Sequence, residues 1–280
     1  MFAGAVLISF APVFVKLVDV GPTATGFYRM AVGALVLAVV VAWRRPPMTL
    51  DARTLAFGAV AGALFAADII FWHQSVLDIG PGLSTIIANF QVFILAVFGV
   101  VVLRERAGWR LAIAVPLALT GLFLLVGADW AALPGSYRRG ILLALLTAVA
   151  YGSYLLVLRA SQARAARLDP MANLFIICLV ASVILAGSAV VSGETLRVPD
   201  LRNAGLLAAY GVTAQVLGWV FISNGLPRVE ASRAGLVLLS QPALAFVWDV
   251  LFFARPTGGR DVAGAALALT AIYLGTRRGT

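Results

Sequence analysis

Charged side chains are scarce in this sequence. They make up 12% of the 280 residues, whereas 62% of the residues are hydrophobic. Soluble proteins carry about 25% charged residues, and a chain this apolar cannot bury its hydrophobic surface in one water-soluble core. The composition therefore indicates that lipid surrounds most of the chain. The net charge of +9 does not favour nucleic-acid binding, because basic residues between membrane helices typically mark cytoplasmic loops.

Residue types that carry metal, redox or phosphate chemistry are also few. The single cysteine, Cys178, and the single histidine, His73, exclude a zinc site and a disulfide within the chain. The one lysine, Lys16, follows a valine, so the phosphate-binding loop G-x-x-x-x-G-K-[ST] is missing. We therefore predict no cofactor, no metal and no catalytic residue. The alternative of a membrane-embedded enzyme of lipid metabolism requires acidic or histidine residues clustered at one membrane face, and the sequence offers no such cluster.

Long apolar runs fill most of the chain. A transmembrane helix needs about 20 mostly apolar residues, and its backbone must be hydrogen-bonded internally. The predicted fold class is thus an all-α membrane protein without a soluble domain. We predict ten transmembrane helices, at residues 2–18, 22–43, 55–77, 81–103, 109–127, 139–158, 170–191, 203–226, 231–253 and 260–276.

The distribution of basic residues predicts the orientation in the membrane. Alternate loops contain thirteen basic residues on one side, from Arg44 to Arg278, and seven on the other, from Lys16 to Arg260, with Arg29 inside a span. Basic residues accumulate in cytoplasmic loops. We therefore expect both termini in the cytoplasm and, by location, the bacterial inner membrane.

The chain contains an internal repeat. Residues 91–120 align with residues 241–270 without a gap at an offset of 150, which pairs Gln91 with Gln241. Residues 21–38 align with residues 169–186 at an offset of 148. This self-similarity predicts two repeats, at residues 1–127 and 139–280, joined by a connector at residues 128–138.

Because each repeat has an odd number of helices, the second repeat must cross the membrane in the opposite sense to the first. Inverted repeats are a recurring plan of secondary transporters, whose substrate site lies between the halves near the bilayer midplane. The repeat therefore predicts two inverted five-helix units around a central cavity, and transport rather than a purely structural or sensory role.

Several stretches resemble one family of transporters. "SFAPVFVKLVDVGPTATGFYRMAVGAL" at 9–35, "DIIFWHQSV" at 68–76 and "LRER" at 103–106 followed by Gly108 resemble the ten-helix EamA-type members of the drug/metabolite transporter superfamily. The resemblance covers nearly the whole chain. Arg104 stands where the family usually has glycine, and Glu105 has no acidic counterpart at Arg255 in the second repeat.

The resemblance implies a basket of ten helices with a central cavity and cytoplasmic termini. It implies export of small metabolites across the inner membrane by alternating access, with amino acids, aromatic or otherwise apolar, as the leading expectation. Multidrug or other metabolite efflux is the alternative within the same superfamily. The expected partners are a small-molecule substrate and the lipid bilayer, and we expect a monomer.

Ionisable residues inside predicted spans are the first candidates for function, because each costs about 2.5–3.5 kcal/mol at mid-bilayer on insertion scales. They are Arg29, Asp68, His73 and Asp249. We predict Asp68 and His73 as substrate-binding or proton-coupling residues and Asp249 as a coupling candidate. The alternatives are a helix-to-helix hydrogen bond for Asp68 and a bond to a backbone carbonyl for His73. We expect Arg29 to snorkel to the interface in a structural role.

Neutral polar and aromatic residues complete the predicted cavity, which we expect spans 1, 3, 4, 6, 8 and 9 to line. On a helix, Asp68, Trp72 and Ser75 share one face, while His73 points about 140° away from Asp68. Proline removes a backbone hydrogen bond and favours a kink, so Pro12 and Pro242 are predicted hinges, with a plain kink as the alternative. The further predicted substrate-binding residues are Trp72, Asn89, Gln91, Tyr151, Gln215, Trp219, Ser240 and Gln241.

Overall fold

The computed structural model describes residues 2–45, 51–91, 93, 94, 98, 109–126, 133–164, 169–225 and 231–276. Every regular element within these residues is a helix. The helices are α1 Phe2–Ser9, α2 Ala11–Leu17, α3 Pro22–Arg44, α4 Ala52–Ile79, α5 Pro81–Ala88, α6 Trp109–Val126, α7 Gly135–Arg164, α8 Pro170–Val191, α9 Leu201–Tyr210, a π-helical segment Gly211–Leu217, α10 Gly218–Gly225, α11 Ala231–Phe253 and α12 Gly259–Thr276.

Helix occurs in each of the ten predicted spans. Five helical stretches are long and apolar enough to cross a membrane: Pro22–Arg44, Ala52–Ile79, Gly135–Val157, Met171–Val191 and Leu201–Ile222. Shorter apolar stretches cover Phe2–Leu17, Ala112–Leu125 and Ser240–Phe253. The fourth predicted span starts as α5, and residues 91, 93, 94 and 98 are also helical, whereas Glu105 lies outside the described residues.

The first span is interrupted at Phe10. Pro12 lacks the backbone N–H that would continue the ladder of α1, and it lies in the first turn of α2, where proline is favoured. Phe10 instead closes a tighter turn, its N–H donating to the Leu7 carbonyl at 3.4 Å. The chain is therefore bent near the predicted hinge Pro12. Pro242 lies inside the continuous helix α11.

The packing of the helices repeats when the two halves are exchanged. Span 2 packs on span 7 (α3 on α8), span 4 on span 9 (α5 on α11) and span 5 on span 10 (α6 on α12). Span 3 packs on span 6 (α4 on α7), and the equivalent pair is span 8 on span 1 (α10 on α1). Span 1 also packs on span 9 (α1 on α11), and the equivalent pair is span 6 on span 4 (α7 on α5). Such pairing is expected of a pseudo-twofold arrangement of five-span units. The boundaries of those units at residues 127 and 139 stay a prediction.

Polar contacts join the two halves at one end of the bundle. The Glu194 carboxylate accepts from the Ala24 N–H at 2.9 Å and from the Thr23 hydroxyl at 2.8 Å, which caps the start of α3. The Asn203 side-chain oxygen accepts from the Asp19 N–H at 2.8 Å. We define the residues 18–24, 78–82, 192–203 and 254–257 as the capped end.

A side chain at the capped end also starts α9. The Asp200 carboxylate accepts from the backbone N–H of Asn203 at 2.7 Å and holds the first turn of that helix. This hydrogen bond, with the Asn203 side chain adding to it, keeps the pKa of Asp200 below its ordinary value.

Candidate functional site

Arg29 lies in the interior of the bundle. Its side chain on α3 is only 6% exposed. Its Nε donates to Gln215 Oε1 and its Nη1 to Tyr210 Oη, both at 3.0 Å. The guanidinium carbon also lies 5.1 Å from the centre of the Tyr210 ring and 5.7 Å from that of Phe65, where aromatic faces attract a cation. The expectation that Arg29 snorkels to the interface is therefore wrong.

His73 continues this network from α4. Its Nδ1 lies 2.9 Å from the Pro22 carbonyl oxygen, and its Nε2 lies 2.9 Å from Tyr210 Oη. Because a carbonyl only accepts, Nδ1 carries the proton, and a neutral ring then accepts the Tyr210 proton at Nε2. The donors run in one direction, from Arg29 to Tyr210 to His73 to Pro22.

Glycines and the π-helical segment bring these elements together. A Cβ at Gly26 would lie 2.5 Å from Ile69 Cγ2, so glycine lets α3 approach α4 beside His73. A Cβ at Gly33 would lie 2.7 Å from Gln215 Cγ. Gln215 itself belongs to the π-helical segment Gly211–Leu217, and such segments occur frequently at functional sites.

Asp68 faces the same region without a direct partner. Its side chain is 9% exposed, and among the described residues it has no hydrogen bond or ion pair. It lies one turn beyond Phe65 on α4, and the ring centre of Phe65 is 5.7 Å from the Arg29 guanidinium carbon and 4.7 Å from the ring centre of Tyr154. We call Arg29, Asp68, His73, Tyr210 and Gln215 the Arg29 pocket.

Aromatic rings line the Arg29 pocket. Phe14 stacks on Tyr210 with ring centres 5.5 Å apart, and Trp72 lies 5.4 Å from the His73 ring. Tyr154 stacks on Phe65 at 4.7 Å and on Tyr151 at 5.8 Å. A pocket with a few convergent polar groups inside an apolar wall is typical of small-molecule sites.

The pocket brings together five of the residues selected from the sequence: Asp68, Trp72, His73, Tyr151 and Gln215. The alternative interpretation of His73 is also observed, since it bonds a backbone carbonyl. Ser75, which lies two turns beyond Asp68 on α4, donates to the Gly140 carbonyl of α7 at 2.9 Å. The substrate-binding and coupling roles of these residues stay predictions.

The other selected residues lie elsewhere. Asn89 Nδ2 donates to the Thr85 carbonyl of its own helix at 2.8 Å. The Gln91 backbone carbonyl approaches Gly152 of α7. The remaining three are half-buried: Trp219 on α10, and Ser240 and Gln241 on α11.

Asp249 on α11 is held at the capped end. Its Oδ2 lies 3.2 Å from Arg255 Nη1 and accepts from the Gly82 N–H at 3.0 Å. A carboxylate at the start of a helix is stabilised by the exposed N–H groups and the helix dipole, so Asp249 caps α5 from the opposite half. Gly80, at φ 87°, leaves room for it, since a Cβ there would lie 2.8 Å from Oδ2. The coupling role of Asp249 stays a prediction.

Tyr210 was not selected from the sequence. It is completely buried and links Arg29 with His73, although aromatic residues near span ends are usually assigned to the interface belt. Tyr210 directly precedes the π-helical segment, and this position indicates a functional residue. The hydrophobic periodicity of the sequence does not reveal the segment. Among the described residues, no group of three His, Cys, Asp or Glu side chains could hold a metal ion.

Comparisons with known proteins give a consistent picture. The model of the EamA-like transporter family matches residues 1–127 and 138–277. A transporter from Archaeoglobus fulgidus is 21% identical over 274 residues, covering 92% of this chain and 89% of its own. The transporter YcbK of Bacillus subtilis is 25% identical over 256 residues, covering 87% of this chain and 80% of its own.

A solved crystal structure shares the fold. It has a TM-score of 0.67 and 18% sequence identity, and the match covers 98% of this chain and 93% of that chain. The all-α fold with ten membrane helices, predicted from the sequence, is confirmed by the helical structure and the family match.

Proposed function

Because the chain belongs to the EamA-like transporter family, we propose that it is a secondary transporter that exports small metabolites, with amino acids of apolar or aromatic side chain as the leading substrates. The observation that carries the proposal is the Arg29 pocket. Arg29, Asp68 and His73 come from the first half of the chain, and Tyr210 and Gln215 from the second. Inverted-repeat transporters place their substrate between the halves, and buried ionisable groups in membrane spans mark function by default.

Alternating access is supported by the contacts between the two halves at the capped end. At the capped end, Glu194, Asn203 and Asp249 each bind an element of the opposite half. Substrate can reach the Arg29 pocket from that end only after these contacts separate. This arrangement fits a state that is closed at the capped end.

The apolar and aromatic preference rests on the wall of the pocket. Trp72 and Tyr151 are half-buried beside Asp68 and His73, where they can contact the side chain of a bound metabolite. Multidrug efflux is the second candidate, because the same rings suit a hydrophobic cation placed near Asp68.

Transport is tested with purified protein in liposomes preloaded with unlabelled L-phenylalanine, by uptake of labelled L-phenylalanine against empty liposomes. The same exchange is measured with L-leucine, L-threonine and a hydrophobic cationic dye. We expect exchange of L-phenylalanine and L-leucine above that of L-threonine, and a loss of at least about tenfold in His73→Ala at equal incorporation, since His73 and Tyr210 shape the pocket. Thr120→Ala, on α6 outside the pocket, is the control and keeps wild-type flux. Flux of the dye alone would favour multidrug efflux, and no flux of any solute would contradict the proposal.

The proposed orientation places both termini in the bacterial cytoplasm and the capped end outside. In a Cys178→Ala background, Arg197→Cys is expected to react with a membrane-impermeant thiol reagent in intact cells. Arg53→Cys is expected to react only after the cells are made permeable. The reverse pattern would contradict the proposed orientation.

A further inference from the structure

The Asp68 carboxylate has no hydrogen-bond or ion-pair partner in the described part of the chain. A carboxylate that is nine-tenths buried and lacks a hydrogen bond is costly, and the only buried polar side-chain atoms without a partner in the described residues are Ser84 Oγ and Arg255 Nε. The oxygens of Asp68 are therefore not sealed inside protein. Each retains some surface that a water molecule can reach.

The Arg29 guanidinium also has N–H donors without a hydrogen-bond partner among the described residues. The guanidinium carries five N–H donors, of which the structure uses Nε for Gln215 and one on Nη1 for Tyr210. Nη2 has no partner among the described residues, and it is not among the sealed atoms either. Two hydrogen bonds and two aromatic faces fix the orientation of the guanidinium and leave one edge of it free.

The Arg29 Nη2 edge and the Asp68 carboxylate are opposite in charge and do not pair with each other. Arg29 and Asp68 form no ion pair within 4.0 Å, although the Arg29 guanidinium carbon lies 5.7 Å from the ring centre of Phe65, one turn before Asp68 on α4. A ligand with a single charge would satisfy one of them and leave the other desolvated and unpaired. A ligand that carries both charges on neighbouring atoms satisfies both.

We propose that Arg29 and Asp68 form a two-point site for a zwitterion, in which the Arg29 Nη2 edge binds the α-carboxylate and the Asp68 carboxylate binds the α-ammonium of a free amino acid. This inference rests on the proposed transport function and specifies what its substrate must carry. Tyr210 and Gln215 act as positioning residues because they hold Arg29. Trp72 and Tyr151 contact the amino-acid side chain.

The site excludes derivatives that lack either charge. An N-acetyl amino acid has no ammonium for Asp68, and an amino-acid amide has no carboxylate for Arg29. A site built to bond a polar group rejects analogues that lack it, because its own buried groups are then left unpaired. We therefore expect the free amino acid to bind about 10- to 100-fold more tightly than either derivative.

The test measures binding to the purified full-length protein in detergent by ligand-induced thermal stabilisation and by competition with labelled L-phenylalanine. The probes are L-phenylalanine, N-acetyl-L-phenylalanine and L-phenylalaninamide, and the corresponding three forms of L-leucine and L-threonine. Equal binding of the free and derivatised forms would overturn the two-point site even if the transport proposal holds. Absence of binding and flux for every solute would overturn both.

Asp68→Asn tests the binding of the α-ammonium separately from the binding of the α-carboxylate by Arg29. It preserves shape and, because Asp68 has no described partner, breaks no bond of the fold. We expect the affinity for L-phenylalanine to fall about 10-fold or more, while the affinity for N-acetyl-L-phenylalanine is unchanged or higher, so that the preference between them is lost. Asp51→Asn, the same change at the start of the same helix, is the control, since asparagine caps a helix as well as aspartate. Retention of the wild-type preference in Asp68→Asn would contradict the proposal.

Discussion

Replacing Tyr210 by phenylalanine removes one oxygen from the Arg29 pocket and leaves the ring in place. That oxygen accepts from Arg29 Nη1 at 3.0 Å and donates to His73 Nε2 at 2.9 Å. A hydrogen bond to a charged group contributes about 1.5–3 kcal/mol and a neutral one about 0.5–1.5 kcal/mol. Phenylalanine also keeps the stack on Phe14, so no cavity term is added.

The membrane environment affects how large the loss in the free energy of unfolding is for Tyr210→Phe. Hydrogen bonds between membrane helices average about 0.6 kcal/mol in double-mutant cycles, because the unfolded reference also finds partners in the membrane. In Tyr210→Phe the Arg29 Nη1 donor and the His73 Nε2 acceptor lose their partner. They cannot move to new partners, because the folded protein holds Arg29 at Gln215 and His73 at Pro22. We expect a loss of about 2–4 kcal/mol in the free energy of unfolding.

The assay is reversible unfolding in mixed micelles titrated with a denaturing detergent. Tyr154→Phe is the matched control, because Tyr154 is 1% exposed, belongs to the same aromatic wall and has no described hydrogen bond to its hydroxyl. We expect that change to stay within about 0.5 kcal/mol of wild type. A double-mutant cycle with His73→Ala should give a coupling of about 0.5–3 kcal/mol. If Tyr210→Phe costs no more than Tyr154→Phe, the hydrogen bonds of Tyr210 do not stabilise the fold.

Two further changes test the packing and the capped end in the same unfolding assay. Gly26→Ala should destabilise by about 1–3 kcal/mol, since its Cβ would lie 2.5 Å from Ile69. Gly187→Ala, whose Cβ meets nothing within 4 Å, should instead gain up to about 1 kcal/mol of helix propensity, and equal effects of the two would refute the close approach. Asp249→Ala should cost about 3–5 kcal/mol because Arg255 is left without its carboxylate; Asp249→Asn should cost less, since its amide oxygen still accepts from α5, and the opposite order would exclude the capping role.

The helices themselves were predictable from the sequence because each span must satisfy its own backbone in lipid. The end of α8, for example, was predicted at residue 191 and is observed at Val191. A hinge or kink at Pro12 is predicted from the sequence and the chain bends there, but the end of α1 before Phe10 is not predicted, because hydropathy averages over the whole run. The π-helical segment Gly211–Leu217 has no compositional signal of its own.

The pocket was predictable in part. His73 and Asp68 were selected because an ionisable side chain inside an apolar span costs free energy and therefore indicates a function. Arg29 was assigned to the interface because long side chains reach it by snorkelling, and only the fold shows that Tyr210 and Gln215, more than 180 residues away in sequence, meet it in the interior. Such contacts between the halves depend on how two repeats dock, which the pattern within either repeat does not encode.

The π-helical segment sets the rotation of the eighth span. An i→i+5 turn accommodates one residue more than the α-helical ladder around it, and one residue corresponds to about 100° of turn in an α-helix. The stretch before it, α9, meets α2 and α3, while the stretch after it, α10, meets α1. If the same residues formed a regular α-helix, the span would stay hydrophobic and helical, but everything downstream would turn by more than a quarter turn. Gly4 would then no longer approach the Gly218 carbonyl.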